Sequence, residues 1–114
     1  MPDARAIAAL LLALGLAAAA PVGAEVDGRI PAPRAAELEH MVIQDCGSCH
    51  GLTMKGGLGS PLTHDALDGA DPGALASIIL NGVPGTAMPP WRPLLSKDEA
   101  RWIADYLLQG ETEK

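Results

Sequence analysis

Aromatic residues are scarce in this chain. Phenylalanine is absent, and Trp91, Trp102 and Tyr106 are the whole aromatic complement of 114 residues. A core must therefore be built from aliphatic side chains, or around an apolar body that the chain does not itself supply. Positive charge is also short: eight Lys and Arg face fourteen Asp and Glu, for a formal net charge of -6. That balance argues against nucleic acid and anionic membrane surfaces as partners and suits docking onto a partly basic protein. No apolar run is long enough to span a membrane, because the longest, Ala6 to Ala20, falls short of the roughly 20 residues required. Alternating strand patterns and internal repeats are missing as well, which leaves an all-α domain.

The short apolar run reads as an export signal. Arg5 and the terminal amine form a weak positive region ahead of it, Pro21 and Gly23 break it, and Val22-Gly23-Ala24 offers small residues for cleavage after Ala24. Residues 1–24 are expected to be a signal peptide, and no stable membrane insertion is expected once it is cleaved. Residues 25–34, with Gly28, Pro31 and Pro33, form a flexible N-terminal segment; residues 35–110 form one small domain, and 111–114 a C-terminal tail.

Within the domain, three helices are marked. From Ala35, the residues Leu38, Met41, Val42, Cys46 and Cys49 recur at helical spacing. Asp71 is a natural N-cap with Pro72 behind it, and Asn81-Gly82 closes that second helix. Ser96 and Glu99 form a capping-box pattern ahead of Ala100, Ile103, Ala104, Leu107 and Leu108, one apolar face running to Gly110. The glycines at 56, 57 and 59 and the prolines at 84, 89, 90 and 93 make the connecting stretches irregular.

Cys46-Gly47-Ser48-Cys49-His50 is the C-x-x-C-H signature of covalent haem attachment. Two thiols at this spacing can each join one vinyl group of the same porphyrin, and the adjoining imidazole supplies an axial nitrogen. A redox dithiol would normally sit between a strand and a helix, and no strand pattern precedes Cys46. A structural zinc site needs four ligands and would have to recruit His50 with His40 or His64. A disulfide would leave His50 without a purpose. One haem c is therefore the expected cofactor, and its macrocycle supplies the apolar centre that the aromatics do not. Attachment of this kind takes place outside the bacterial cytoplasm, so the location is the periplasm.

The second axial ligand must come from the remaining methionines and histidines. Met54 is confined to the proximal side, at most about 14 Å of chain from His50, and Met41 is explained as a core residue. Met88, in Gly85-Thr86-Ala87-Met88-Pro89-Pro90, has enough chain to cross the macrocycle and is followed by two stiffening prolines. His64 competes for the role and His40 does so more weakly. A His/Met pair saturates the iron, raises its potential and implies an electron carrier rather than an enzyme. Around the haem, Pro61 is the expected carbonyl partner of His50, Trp91 and Arg92 could face the propionates, and Trp102 and Tyr106 read as packing, with the haem edge as one surface open to them.

With these motifs in place, the chain resembles the class I c-type cytochromes over its mature length. The strings Gln44 to Gly51, Gly56 to Gly59, Pro84 to Trp91 and Ala100 to Leu107 are similar to those of the c55X, or NirC-type, branch. The resemblance implies thioethers at Cys46 and Cys49, axial ligation by His50 and Met88, and a small all-α fold packed around the haem. It also implies a place among denitrification genes, with nitrite reductase or a haem d1 assembly protein as redox partner. A peroxidase-like enzyme and an electron relay of an unrelated respiratory complex are the competing functions.

Overall fold

Proline and capping side chains set the helix starts in the computed structural model, which describes residues 29–114 and Gly15. The expected signal peptide, Gly15 apart, and residues 25–28 lie outside the described residues.

The first helix, α1 (Ala32–Met41), follows Pro31 and carries Pro33 in its first turn, where the missing N–H has no intrahelical partner to lose. It begins ahead of the expected Ala35 and so takes in residues 32–34 of the segment expected to be flexible. Arg34 explains the difference. Its guanidinium donates to the Glu99 carboxylate, to Glu37 at 2.7 Å and to the Leu94 carbonyl at 3.3 Å. The first turn of α1 is thereby tied to the start of the last helix.

Past Met41 the helix does not run straight into the attachment motif. Val42–Cys46 form a π-turn, with the Gly47 N–H donating to the Val42 carbonyl, and only then does the short α2 (Gly47–His50) complete the motif. Val42 is fully buried in the core.

The second expected helix is α3 (Pro72–Asn81), capped by Asp71, whose carboxylate accepts the Ala74 N–H at 2.8 Å. Its end is Gly82, at φ 65°. The last helix, α4 (Lys97–Leu108), opens with both halves of its capping box formed, the Glu99 N–H donating to Ser96 Oγ and the Ser96 N–H to Glu99 Oε1. Helices α3 and α4 make the most extensive pairing, and α1 lies against α4 as well. Ala76 of α3 and Ala100 and Ala104 of α4 are buried, small residues that suit close approach of helix backbones.

Leu38, Val42, Leu80, Ile103 and Leu107 supply most of the remaining core, together with Met54. Each such aliphatic side chain contributes about 1.5–3 kcal/mol on burial. The chain ends on a 3-10 turn, Glu111–Glu113, rather than a free tail: the Glu113 carboxylate accepts the backbone N–H of His64 at 2.8 Å. Every regular element among the described residues is helical, and no described helix is long and apolar enough to cross a membrane.

Candidate functional site

A cavity of about 700 Å³ opens between the attachment motif, the glycine-rich loop, α3, the Met88 loop and α4. Cys46, Cys49, His50 and Met88 all line it. The rest of its wall is mainly aliphatic, with Leu62, Leu67, Leu75, Ile79 and Ile103 among the contributors, and among the described residues Asp45 is the one Asp, Glu, Lys or Arg on it. Size and polarity match a pocket that takes a large apolar cofactor. The aliphatic wall also answers the shortage of aromatics, since a macrocycle placed here would be surrounded by apolar side chains on several sides.

The two thiols are unpaired. Burial, with the neighbouring Asp45 charge in second place, pushes the Cys46 thiol up to about 11, so it is neutral in the free chain at ordinary pH. The motif is wholly helical, and none of the described residues before it forms the strand that a dithiol redox site would require.

His50 is fixed by the loop that follows it. Its Nδ1 lies 2.7 Å from the Ser60 carbonyl oxygen. A carbonyl can only accept, so Nδ1 carries the proton and Nε2 keeps its lone pair for a metal. The expected partner, Pro61, is one residue off. The Leu62 N–H, in the same peptide group as the Pro61 carbonyl, donates to the Met54 carbonyl at 2.9 Å. Because the peptide is trans, the Pro61 carbonyl points the opposite way. Gly59 closes against the imidazole so tightly that a Cβ there would sit 2.7 Å from Nδ1 and Cε1. The loop also returns the Gly59 and Gly56 N–H groups to the carbonyls of Cys49 and His50, both at 2.8 Å. The helix end that presents His50 is thus satisfied by the loop that orients the ring.

The Met88 loop is pinned to the end of α3. Trp91 and Arg92 donate their N–H groups to the Ile79 and Leu80 carbonyls, and the Arg92 guanidinium reaches Asn81 Oδ1 at 2.6 Å. Of the two residues expected near the propionates, Trp91 lines the cavity and Arg92 turns to Asn81 instead. Within the loop, Val83 to Thr86 form a turn closed by the Thr86 N–H on the Val83 carbonyl, and the Val83 N–H donates to the Met88 carbonyl at 3.2 Å.

Of the other histidines and methionines among the described residues, Met41 alone lines the cavity. His64 Nδ1 lies 2.7 Å from the Leu108 carbonyl at the end of α4, and His40 is exposed on α1. Met54, within the loop after the motif, is fully buried and does not line the cavity, whereas Met41 does. Trp102 and Tyr106 stack on each other, ring centroids 5.0 Å apart, and neither reaches the cavity wall. Both pack partly buried against the hydrophobic core. Sequence reading missed Gly59, Ser60 and Thr86 as parts of the site. Thr86 had a signal, a hydroxyl two residues ahead of the methionine, where local turns to backbone are common.

Comparison with known proteins adds an independent line. Residues 33–107 match the protein-family model described as "Cytochrome C oxidase, cbb3-type, subunit III". The chain is 63% identical over 91 residues to cytochrome c55X of Paracoccus denitrificans, covering 80% of this chain and 88% of that one. To cytochrome c55X of Pseudomonas aeruginosa it is 49% identical over 112 residues, covering 96% and 94%. The solved structure of a c-type cytochrome NirC superposes with a TM-score of 0.70 at 51% identity, covering 72% of this chain and 96% of that one.

Proposed function

The chain belongs to the cytochrome c55X family of class I c-type cytochromes, electron carriers of small all-α fold, and from that premise we propose a periplasmic monohaem carrier that passes single electrons in dissimilatory nitrite reduction. In this reading Cys46 and Cys49 hold one haem c through thioethers, and His50 and Met88 are its axial ligands. The observation that carries it is that all four residues line one apolar cavity of matching size.

A bound haem supplies one-electron exchange at its iron, and a His/Met ligand pair leaves that iron no open position for a substrate. The chain's own residues do the rest. The Ser60 carbonyl holds the His50 imidazole in the tautomer that leaves Nε2 free, and Gly59 fixes the plane of the ring. The aliphatic wall excludes water, and the Met88 loop, fastened at Ile79, Leu80 and Asn81, presents a thioether from a rigid support. Members of this family carry electrons rather than catalyse, which removes the peroxidase-like alternative.

The proposed partner is nitrite reductase or a protein of haem d1 assembly. A second reading, an electron relay in another respiratory complex, draws on the family-model match over residues 33–107. Two experiments test these assignments. Ferric holoprotein should show the sulfur-to-iron charge-transfer band, and Met88→Ala should lose it; a band that survives the substitution overturns the ligand assignment. Purified nitrite reductase should exchange electrons with this protein faster than with an unrelated cytochrome of similar potential. Equal rates would leave the relay reading standing.

A further inference from the structure

We infer that Thr86 is a positioning residue for the axial ligand, setting the depth at which the Met88 thioether enters the cavity. The inference rests on the assignment of Met88 as ligand.

Thr86 is exposed, yet its hydroxyl is fully used. Oγ1 donates to the Val83 carbonyl at 2.7 Å and accepts the Met88 N–H at 3.2 Å. A threonine hydroxyl has one proton to give and lone pairs to receive, so both bonds form together. The Val83 carbonyl already accepts the Thr86 backbone N–H at 3.1 Å, and the Val83 N–H donates to the Met88 carbonyl at 3.2 Å. Val83, Thr86 and Met88 therefore form a closed hydrogen-bonded ring in which the hydroxyl is the only side-chain member.

That ring governs the ligand more than the fold. Both backbone groups of Met88 have their partners inside it, the N–H on Thr86 and the carbonyl on Val83. The prolines that follow cannot donate in its place. Trp91, Arg92 and Asn81 fasten the far end of the loop to α3, whereas nothing but the hydroxyl fixes the Met88 amide. Removing it leaves the loop anchored and the Met88 carbonyl on Val83, and frees the Ala87–Met88 peptide on the N-terminal side of the thioether. The methyl of threonine has no part in the ring, so serine should serve equally well.

The test uses holoprotein with haem c attached, in four forms: wild type, Thr86→Val, Thr86→Ser and Met88→Ala. The readouts are the ferric sulfur-to-iron band, the concentration of added imidazole that displaces the sixth ligand, and the thermal midpoint. Loss of a bond of ordinary strength predicts that Thr86→Val yields its ligand to imidazole at about tenfold lower concentration. Thr86→Ser should match wild type, and the thermal midpoint should change little in either, because Thr86 lies outside the core. Equal imidazole sensitivity of Thr86→Val and wild type, with the band lost in Met88→Ala, overturns the positioning role while the ligand assignment stands. A band retained in Met88→Ala overturns both. Should Thr86→Val weaken the thermal midpoint as much as the ligand, or Thr86→Ser fail to rescue, the role is general stability and the inference falls.

Discussion

The Nδ1 atom of His50 lies 2.7 Å from the carbonyl oxygen of Ser60, ten residues further along the chain. Gly59 sits against the same ring, and a methyl there would come within 2.7 Å of Nδ1 and Cε1. Two backbone elements thus constrain the imidazole, the Ser60 carbonyl its tautomer and the Gly59 backbone the space beside the ring. The Gly59→Ala variant must push the ring away or distort the loop, at a cost of about 1–3 kcal/mol. Urea unfolding of the holoprotein should show this loss, and redox titration a changed midpoint potential, if the imidazole is the axial ligand proposed above. An unchanged potential would mean that the ring does not depend on Gly59.

Gly82 carries a different constraint. Its φ of 65° is unfavourable for other residues, and a Cβ would lie 2.7 Å from the Met88 carbonyl oxygen and the Pro89 carbonyl carbon. Backbone atoms cannot swing aside as a side-chain tip can. Gly82→Ala should cost about 2–4 kcal/mol and weaken the ferric sulfur-to-iron band, measured on the same sample. A variant that is destabilised but keeps a full band would show that the strain is absorbed in α3 instead of the Met88 loop.

The Arg34 and Glu99 pair makes a pH-dependent contribution. The hydrogen bond from Arg34 holds the Glu99 carboxyl below its ordinary value of 4.5. A depressed folded value means that the stabilisation is complete above the unfolded value and is lost as pH falls through the folded one. In Glu99→Gln the amide oxygen can still accept the Ser96 N–H, but an NH2 group replaces the oxygen that accepts from Arg34, so the comparison with wild type reports the whole charged pair. The difference in unfolding free energy should be about 1–2 kcal/mol near neutral pH, the pair being partly exposed, and should shrink as pH falls below the ordinary carboxyl value of 4.5 and through the lowered folded one. A difference constant across that range would assign the effect to packing.

Trp102 provides the control for the cavity. It stacks on Tyr106 and does not line the cavity. Trp102→Leu should lower stability by about 1–2 kcal/mol and leave the visible spectrum and the midpoint potential unchanged. Spectral change would place the stack closer to the cofactor than the cavity wall does.

Local chemistry was legible in the sequence and long-range chemistry was not. Asp71, Ser96 with Glu99, and Gly82 each declare a helix boundary through their own side chain or its absence, and the helices begin and end where those residues say. The start of α1 was hidden, because what holds its first turn is Arg34 reaching Glu99, and no neighbouring residue announces that contact. Ser60 in place of Pro61 was hidden for a related reason: the direction of one carbonyl depends on the hydrogen bond made by the next N–H. The motif residues and Met88 could be picked out by type and spacing, whereas their common cavity needed the fold.

The π-turn at Val42–Cys46 bears on how this protein tolerates change. In an unbroken α-helix Cys46 would stand above Val42, which faces the core; the wider turn instead brings it over Met41, and both line the cavity. Substitutions along the exposed positions Ile43, Gln44 and Asp45 leave that phase intact. Deleting any one of them resets it and swings the whole attachment motif about the helix axis. The segment stores its instruction as a number of residues, and its composition is comparatively free.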